Sequence, residues 1–198
     1  GRYFASAVEE PLPPALRKRD VLKRFAVATR GLQQQWQDPF DAMRVAVQTV
    51  VGQSLGARDE RRAIRAGWLG VGLAATFMVL VGSTFLLWPE FLLGVFVDDP
   101  AVIAAGRPIL HLTAIVQVIA SVGLVLGAAQ RGAGATRTVM LVDLITAAAI
   151  LLPGGWIGAI WLGRGLVGAW YAFLVWFVVH AVLMAWYFHR GAWLRVRI

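Results

Sequence analysis

The sequence predicts an all-α membrane protein: a polytopic helical bundle of four full transmembrane helices and the end of a fifth. Two observations predict it. Hydrophobic residues make up 59% of the 198 and charged ones 15%, with a mean hydropathy of +0.67, against roughly 45–50% and about 25% in soluble domains. The apolar surplus is also gathered into four blocks, residues 66–88, 109–130, 138–162 and 166–188, each as long as the ~20 residues needed to cross a ~30 Å hydrocarbon core. Backbone in lipid must satisfy its own hydrogen bonds, so such runs are helices or alternating barrel strands. No period-two alternation is visible, which rejects the barrel.

Taken in order, residues 1–44 form a polar, basic segment and 45–198 the membrane part. Pro11, Pro13 and Pro14 precede a stretch in which Leu22, Phe25, Thr29 and Leu32 fall near helical spacing among Arg17, Lys18, Arg19, Lys23 and Arg24. That pattern suits a basic amphipathic helix lying on anionic headgroups, or a solvated tail. Asp38-Pro39 then reads as a helix start. The helix that follows, Phe40 to Leu55, is too short in its apolar part to span and looks like the end of a membrane helix.

Asp59 is placed to cap the first full span, Ala66 to Trp88, which carries no charge. Asp99 and Pro100 repeat the Asp-Pro start before the second, Ile109 to Gln130. The third, Thr138 to Leu162, holds one formal charge, Asp143, and is interrupted by a Pro153-Gly154-Gly155 break; the fourth runs from Leu166 to Phe188. Gly123 and Gly127, like other small residues four apart, let helix backbones approach. Trp88, Trp156, Trp161, Trp186, Tyr187 and Trp193 fall near span ends, where amphipathic rings anchor depth.

The formal charge of +8 would suit nucleic acid, but its placement argues for a membrane and against that partner. Of 19 Lys and Arg, 12 lie in residues 1–65. Arg58, Arg61, Arg62 and Arg65 precede the first span; the next loops hold Arg107 alone, then Arg131 and Arg137, then Arg164 alone, and the tail holds Arg190, Arg195 and Arg197. This alternation places both ends in the cytoplasm, with loops 89–108 and 163–165 outside. Cysteine is absent, which excludes disulfides and thiolate metal sites. The chain opens without Met and without a basic-then-apolar leader, and so reads as a fragment or a processed chain.

Asp143 is the foremost candidate for chemistry, because a carboxylate in a spanning segment costs a few kcal/mol on insertion scales and marks a pathway or a partner. It is either a proton or cation coupling site or a carboxylate near the interface paired with Arg137 or Arg131. Thr113, Gln117 and Ser121 recur every four residues on one helix face. They line a substrate cavity or hydrogen-bond neighbouring helices, at roughly 1 kcal/mol each. His180, mid-span, is a further cavity candidate, since an ordinary imidazole changes charge within the physiological range; the plainer reading is a hydrogen bond between helices. Paired catalytic carboxylates, a nucleophile with its base, a phosphate loop and metal-spaced clusters are all missing from the pattern, so no enzyme and no cofactor is expected.

Three stretches together resemble the C-terminal lobe of a multidrug and toxic compound extrusion (MATE) antiporter. VGQSLGARDERRAIRAG, Val51 to Gly67, carries Gly52, Gln53 and Gly56; VFVDDPAVIAAG, Val95 to Gly106, carries Asp99 and Pro100. AAQRGAGATR, Ala128 to Arg137, carries Arg131, Gly132 and Gly134, and is followed by the Pro153 break and a Gly-x-x-Gly-x-Trp start, Gly165 to Trp170. The resemblance covers about Val45 to Trp193. It implies an alternating-access exporter of twelve helices in two lobes, exchanging organic cations or amphipathic drugs for protons or sodium. On this mapping the chain holds the end of helix eight and helices nine to twelve, in a bacterial plasma membrane.

Ala135 stands where the family usually has Asp. The family's cation-binding carboxylates lie in absent parts or in helix ten, where this chain has Gln117 and no acid, so the importance of Asp143 is read from burial alone. The resemblance makes membrane lipids, a missing N-terminal lobe and a small amphipathic or cationic substrate the expected partners, and the isolated chain is not expected to transport. Two alternatives stand beside it, a membrane-embedded interaction protein without transport and a flippase for lipid-linked precursors. The four apolar runs hold no Lys or Arg, which disfavours the flippase.

Overall fold

The computed structural model describes residues 39–96 and 99–195. The expected interfacial helix around Leu22, Phe25, Thr29 and Leu32, the cap Asp38, and the charges of Asp98 and Arg197 lie outside them. Six helices follow one another: α1 (39–56), α2 (Glu60–Leu87), α3 (Pro89–Gly94), α4 (Pro100–Gly132), α5 (Thr136–Trp161) and α6 (Gly165–Arg190). A 3-10 turn, Ala192–Arg195, is the last described element. The described residues contain no strand. Among the described residues four helices are long and apolar enough to cross a membrane: α2, α4 from Gly106 onward, α5 and α6.

Helix boundaries depart from the apolar runs where local chemistry extends the backbone. Asp59 accepts the Arg62 N–H at 2.9 Å, so α2 begins at Glu60 and its first turn is charged. The loop expected over 89–108 is largely helical, since Pro89 and Pro100 each occupy a first helical position, where a missing N–H costs nothing. Pro153 does not break α5. Two π-helical turns, Ala147–Leu151 and Ile157–Trp161, flank it, with the Leu162 N–H reaching the Ile157 carbonyl at 2.9 Å. Widening the helix shifts the preceding carbonyls away from the proline ring and absorbs the missing donor.

Two sharp turns lie at the same end of the bundle. After α1, the Arg58 and Asp59 N–H groups bond the carbonyls of Leu55 and Ser54 at 2.9 and 2.8 Å. After α4, those of Gly134 and Ala135 bond Arg131 and Gln130, both at 3.0 Å. Both are Schellman caps with a left-handed residue. Gly134 fills that position in the second (φ 83°), whereas Arg58 fills it in the first (φ 58°). Gly56, the glycine of the first motif, sits inside α1. Ala135 leaves α5 without a side-chain cap.

Helix α4 is the hub, packed along α2 on one side and α6 on the other. The main core gathers at the turn end, where Val51, Ala63, Leu126, Val139, Met184 and Phe188 are all buried. Glycines set the closest approaches: Gly52 of α1 lies on Gly132 of α4, Gly82 of α2 on the Ala114 backbone, and Gly158 of α5 on Gly168 of α6. Trp193 departs from the expected aromatic belt. It is buried, stacked on Phe188 at 4.6 Å, and donates its indole N–H to the Phe188 carbonyl at 2.8 Å. Trp88, Trp156, Trp161 and Trp186 do lie exposed.

Candidate functional site

The tight turn after α4 folds α5 back alongside it, which places the last turn of α4 next to the early turns of α5. Asp143 lies ~10 Å along α5 from Thr136, at 1.5 Å per residue. Arg131, rather than Arg137, supplies the cation: its guanidinium lies 3.6 Å from Asp143 Oδ2. That distance is an ion pair and not a hydrogen bond. The extent of α4 therefore brings into its spanning helix a cation that the apolar run 109–130 lacked.

The other carboxylate oxygen, Oδ1, accepts from His180 Nε2 at 2.7 Å. A charge-assisted bond of this kind contributes about 1.5–3 kcal/mol, comparable with the ~2.5–3.5 kcal/mol that insertion scales assign to a mid-helix charge. His180 is 3% exposed and Asp143 44%, so the imidazole is enclosed while the carboxylate keeps an open edge. With Asp143 ionised, Nε2 carries the hydrogen, since a carboxylate only accepts. Nδ1 then presents a lone pair, and it is buried without a hydrogen-bond partner.

The seat of the imidazole is shaped by α4. A Cβ on Gly123 would meet Nδ1 at 2.5 Å and the Ala181 Cα at 3.1 Å, so a side chain there would expel the ring. One turn away, Trp176 of α6 lies against His180, 5.8 Å between ring centres, and donates to Thr146 Oγ at 3.0 Å. Thr146 in turn gives its proton to the Val142 carbonyl at 2.7 Å. Two polar links, Asp143–His180 and Thr146–Trp176, thus tie α5 to α6. A third, Gln130 to the Met184 carbonyl at 3.2 Å, ties α4 to α6.

Asp143 and His180 stood as separate candidates in the sequence, and the structure brings them together. It does not join the others to them. Thr113 and Ser121 donate to carbonyls of their own helix, Ile109 at 2.8 Å and Val118 at 2.7 Å, instead of to neighbouring helices. Gln117 Oε1 is buried and without a partner. Gly123 and Trp176 were overlooked as site residues. The available signal was the pattern Asp-x-x-Thr on one helix and Trp-x-x-x-His on the next, which pair in order when the helices run antiparallel. Among the described residues no group of three His, Cys, Asp or Glu could hold a metal ion. The structure also has an apolar groove of about 240 Å³ between α5 and α6, lined by Ile157, Leu162, Tyr171 and Val175 with Arg164 at its edge.

The family profile described as MatE matches residues 39–157. Multidrug resistance protein NorM of Burkholderia vietnamiensis is 33% identical over 153 residues, 75% of this chain and 33% of the relative. A probable multidrug resistance protein NorM of Thermotoga maritima is 27% identical over 158 residues, 78% of this chain and 33% of the relative. The chain thus spans about a third of the length of the curated relatives it matches.

Proposed function

The chain belongs to the multidrug and toxic compound extrusion (MatE) family, and from that premise we propose that it forms part of a secondary-active multidrug efflux antiporter. In this reading it supplies part of a C-terminal lobe, and the complete protein exports organic cations or amphipathic drugs by alternating access in exchange for protons or sodium. The observation that carries it is the family match, which runs through α1 to α5 and takes in both turns and Asp143. Transport of this kind needs a site between two repeats, so the chain acts with an N-terminal lobe and is inactive alone. Asp143 belongs to the ion-coupling site. The arginines beside the two turns support a reading in which that end of the bundle faces the cytoplasm across a bacterial plasma membrane.

The test is dye efflux from vesicles under an imposed proton or sodium gradient. It compares the chain alone with the chain joined to the rest of the Burkholderia vietnamiensis relative, of which it matches 33%. Efflux by the joined protein, lost on Asp143→Asn with insertion unchanged, supports the reading. No efflux under either gradient overturns it.

A further inference from the structure

We propose that the site built from Arg131, Asp143 and His180 takes up a proton and excludes sodium, and that the proton lands on His180 and unseats its ring from Gly123. That this proton drives transport rests on the exporter reading; the proton-driven unseating is a property of this chain by itself.

The exclusion of sodium follows from what surrounds the carboxylate. A hard cation needs several oxygen ligands. Here one oxygen of Asp143 takes the His180 N–H and the other faces the Arg131 guanidinium, so donors and a positive charge stand where further ligands would have to be. The nearby hydroxyl oxygen, on Thr146, already receives the Trp176 indole.

A proton, by contrast, has a vacant acceptor. With Nε2–H on Asp143, the Nδ1 lone pair of His180 has no partner. Hydronium gives its proton to that lone pair: an Nδ1–H bond forms, one O–H bond of the hydronium breaks and water leaves, and the Nε2–H bond stays intact. The product is an imidazolium whose new N–H points at Gly123, with no acceptor within the seat and no room for one. A buried donor left unpaired is costly, and more so when charged. The ring can relieve this by pivoting outward about its Asp143 bond, toward the open edge of the carboxylate.

The charged group bonded to the ring is Asp143 from α5, whose other oxygen faces Arg131 of α4, among the described residues. Helix α2 reaches α6 two turns away, through Gly67 and Trp68 at Phe188, and brings no charge to the imidazole. Arg131 holds the carboxylate in place as the ring leaves. What opens is the contact of α4 with α6 at Gly123 and Ala181, while α5 and α6 stay joined through Thr146 and Trp176. Proton uptake thus acts on the hub helix.

The experiment uses nitrogen-15 histidine and carbon-13 glycine labelling of the chain in lipid nanodiscs. His111, His180 and His189 are its three histidines, and H180N identifies the signal. Should that variant fail to insert, H111N and H189N identify it by elimination. At alkaline pH the expected His180 signal is a single Nε2–H tautomer in contact with the Gly123 Cα. On acidification it becomes an imidazolium and loses that contact, while replacing potassium by sodium at fixed pH moves nothing. Gly123→Ala removes the labelled glycine and so identifies the contact as that of Gly123. The proposal is overturned if His180 stays neutral throughout, if it charges with the Gly123 contact intact, or if sodium shifts the His180 ring. A chain that passes these tests while the joined protein exports nothing would refute the exporter reading and leave this one standing; the reverse pattern would do the opposite.

Discussion

At the end of the bundle where α1 turns into α2 and α4 into α5, side chains from α1, α2, α4, α5 and α6 interlock into one core, and the backbones of α1 and α4 touch at Gly52 and Gly132. At the opposite end Trp88, Phe91, Trp161, Leu162 and Leu166 all stand exposed, the chain is punctuated by Pro89, Pro100, Pro108 and Pro153, and α5 is wound partly as π-helix. The helices contribute unequally as well: 39% of the most apolar stretch of α4 is buried in the bundle but only 6% of that of α5. The difference teaches where this chain is self-sufficient. Its turn end is held by its own contacts and carries the charged site, while its far end and the outer face of α5 present apolar surface to lipid or protein.

The largest effect should separate the two ends outright. Phe188 is 2% exposed, edge-on to Trp68 and stacked on Trp193. Phe188→Ala should cost about 3 kcal/mol, the lower edge of the range for buried Phe truncation, because lipid replaces water in the reference state. Phe91→Ala, at a residue 71% exposed, should stay within about 0.5 kcal/mol. Denaturant titration of the chain in mixed micelles measures both, and equal losses would erase the distinction between the ends.

Next in size is Gly132→Ala. The added methyl would run into the Gln48 carbonyl of α1, an obstacle of backbone that cannot swing aside. A loss of about 1–3 kcal/mol, typical of overpacking, is expected in the same titration. A neutral result would mean that α1 is not seated on α4. Asp143→Asn should be milder for stability, about 1 kcal/mol or less, because a neutral amide still accepts from His180 while the partly exposed Arg131 loses only a solvent-screened pair. Its expected effect on function is far larger, the loss of ion-driven efflux in the joined protein.

The parts of this architecture legible in the sequence were those set by local rules. The four spans follow from apolar length, and the cap at Asp59 and the start at Pro100 follow from the chemistry of one or two residues. What could not be read depends on which faces meet. The helical run of α5 through Pro153 needs π turns that no residue announces, and Trp193 looks like any interfacial tryptophan until Phe188 is found beneath it. The site was half legible: Asp143 and His180 each stood out as polar groups in apolar runs. Their pairing depends on the antiparallel register of α5 and α6, and on the bare backbone of Gly123 making room for the ring.

The smallest predicted effect probes the comparison within a single helix. Gly67 and Gly72 both lie in α2. A Cβ on Gly67 would strike the Phe188 ring, which Trp68 and Trp193 hold in place, whereas one on Gly72 meets nothing within 4 Å. Alanine favours a helix over glycine by about 0.5–1 kcal/mol through reduced backbone freedom in the unfolded chain. At Gly72 that gain is unopposed, so Gly72→Ala should stabilise by about 0.5 kcal/mol. At Gly67 the same gain is outweighed by displacement of a packed aromatic, and Gly67→Ala should destabilise by about 1 kcal/mol. One substitution made twice on one helix thus changes sign with what lies opposite. If both variants shifted the denaturation midpoint the same way, contact with the core would not be what distinguishes the two positions.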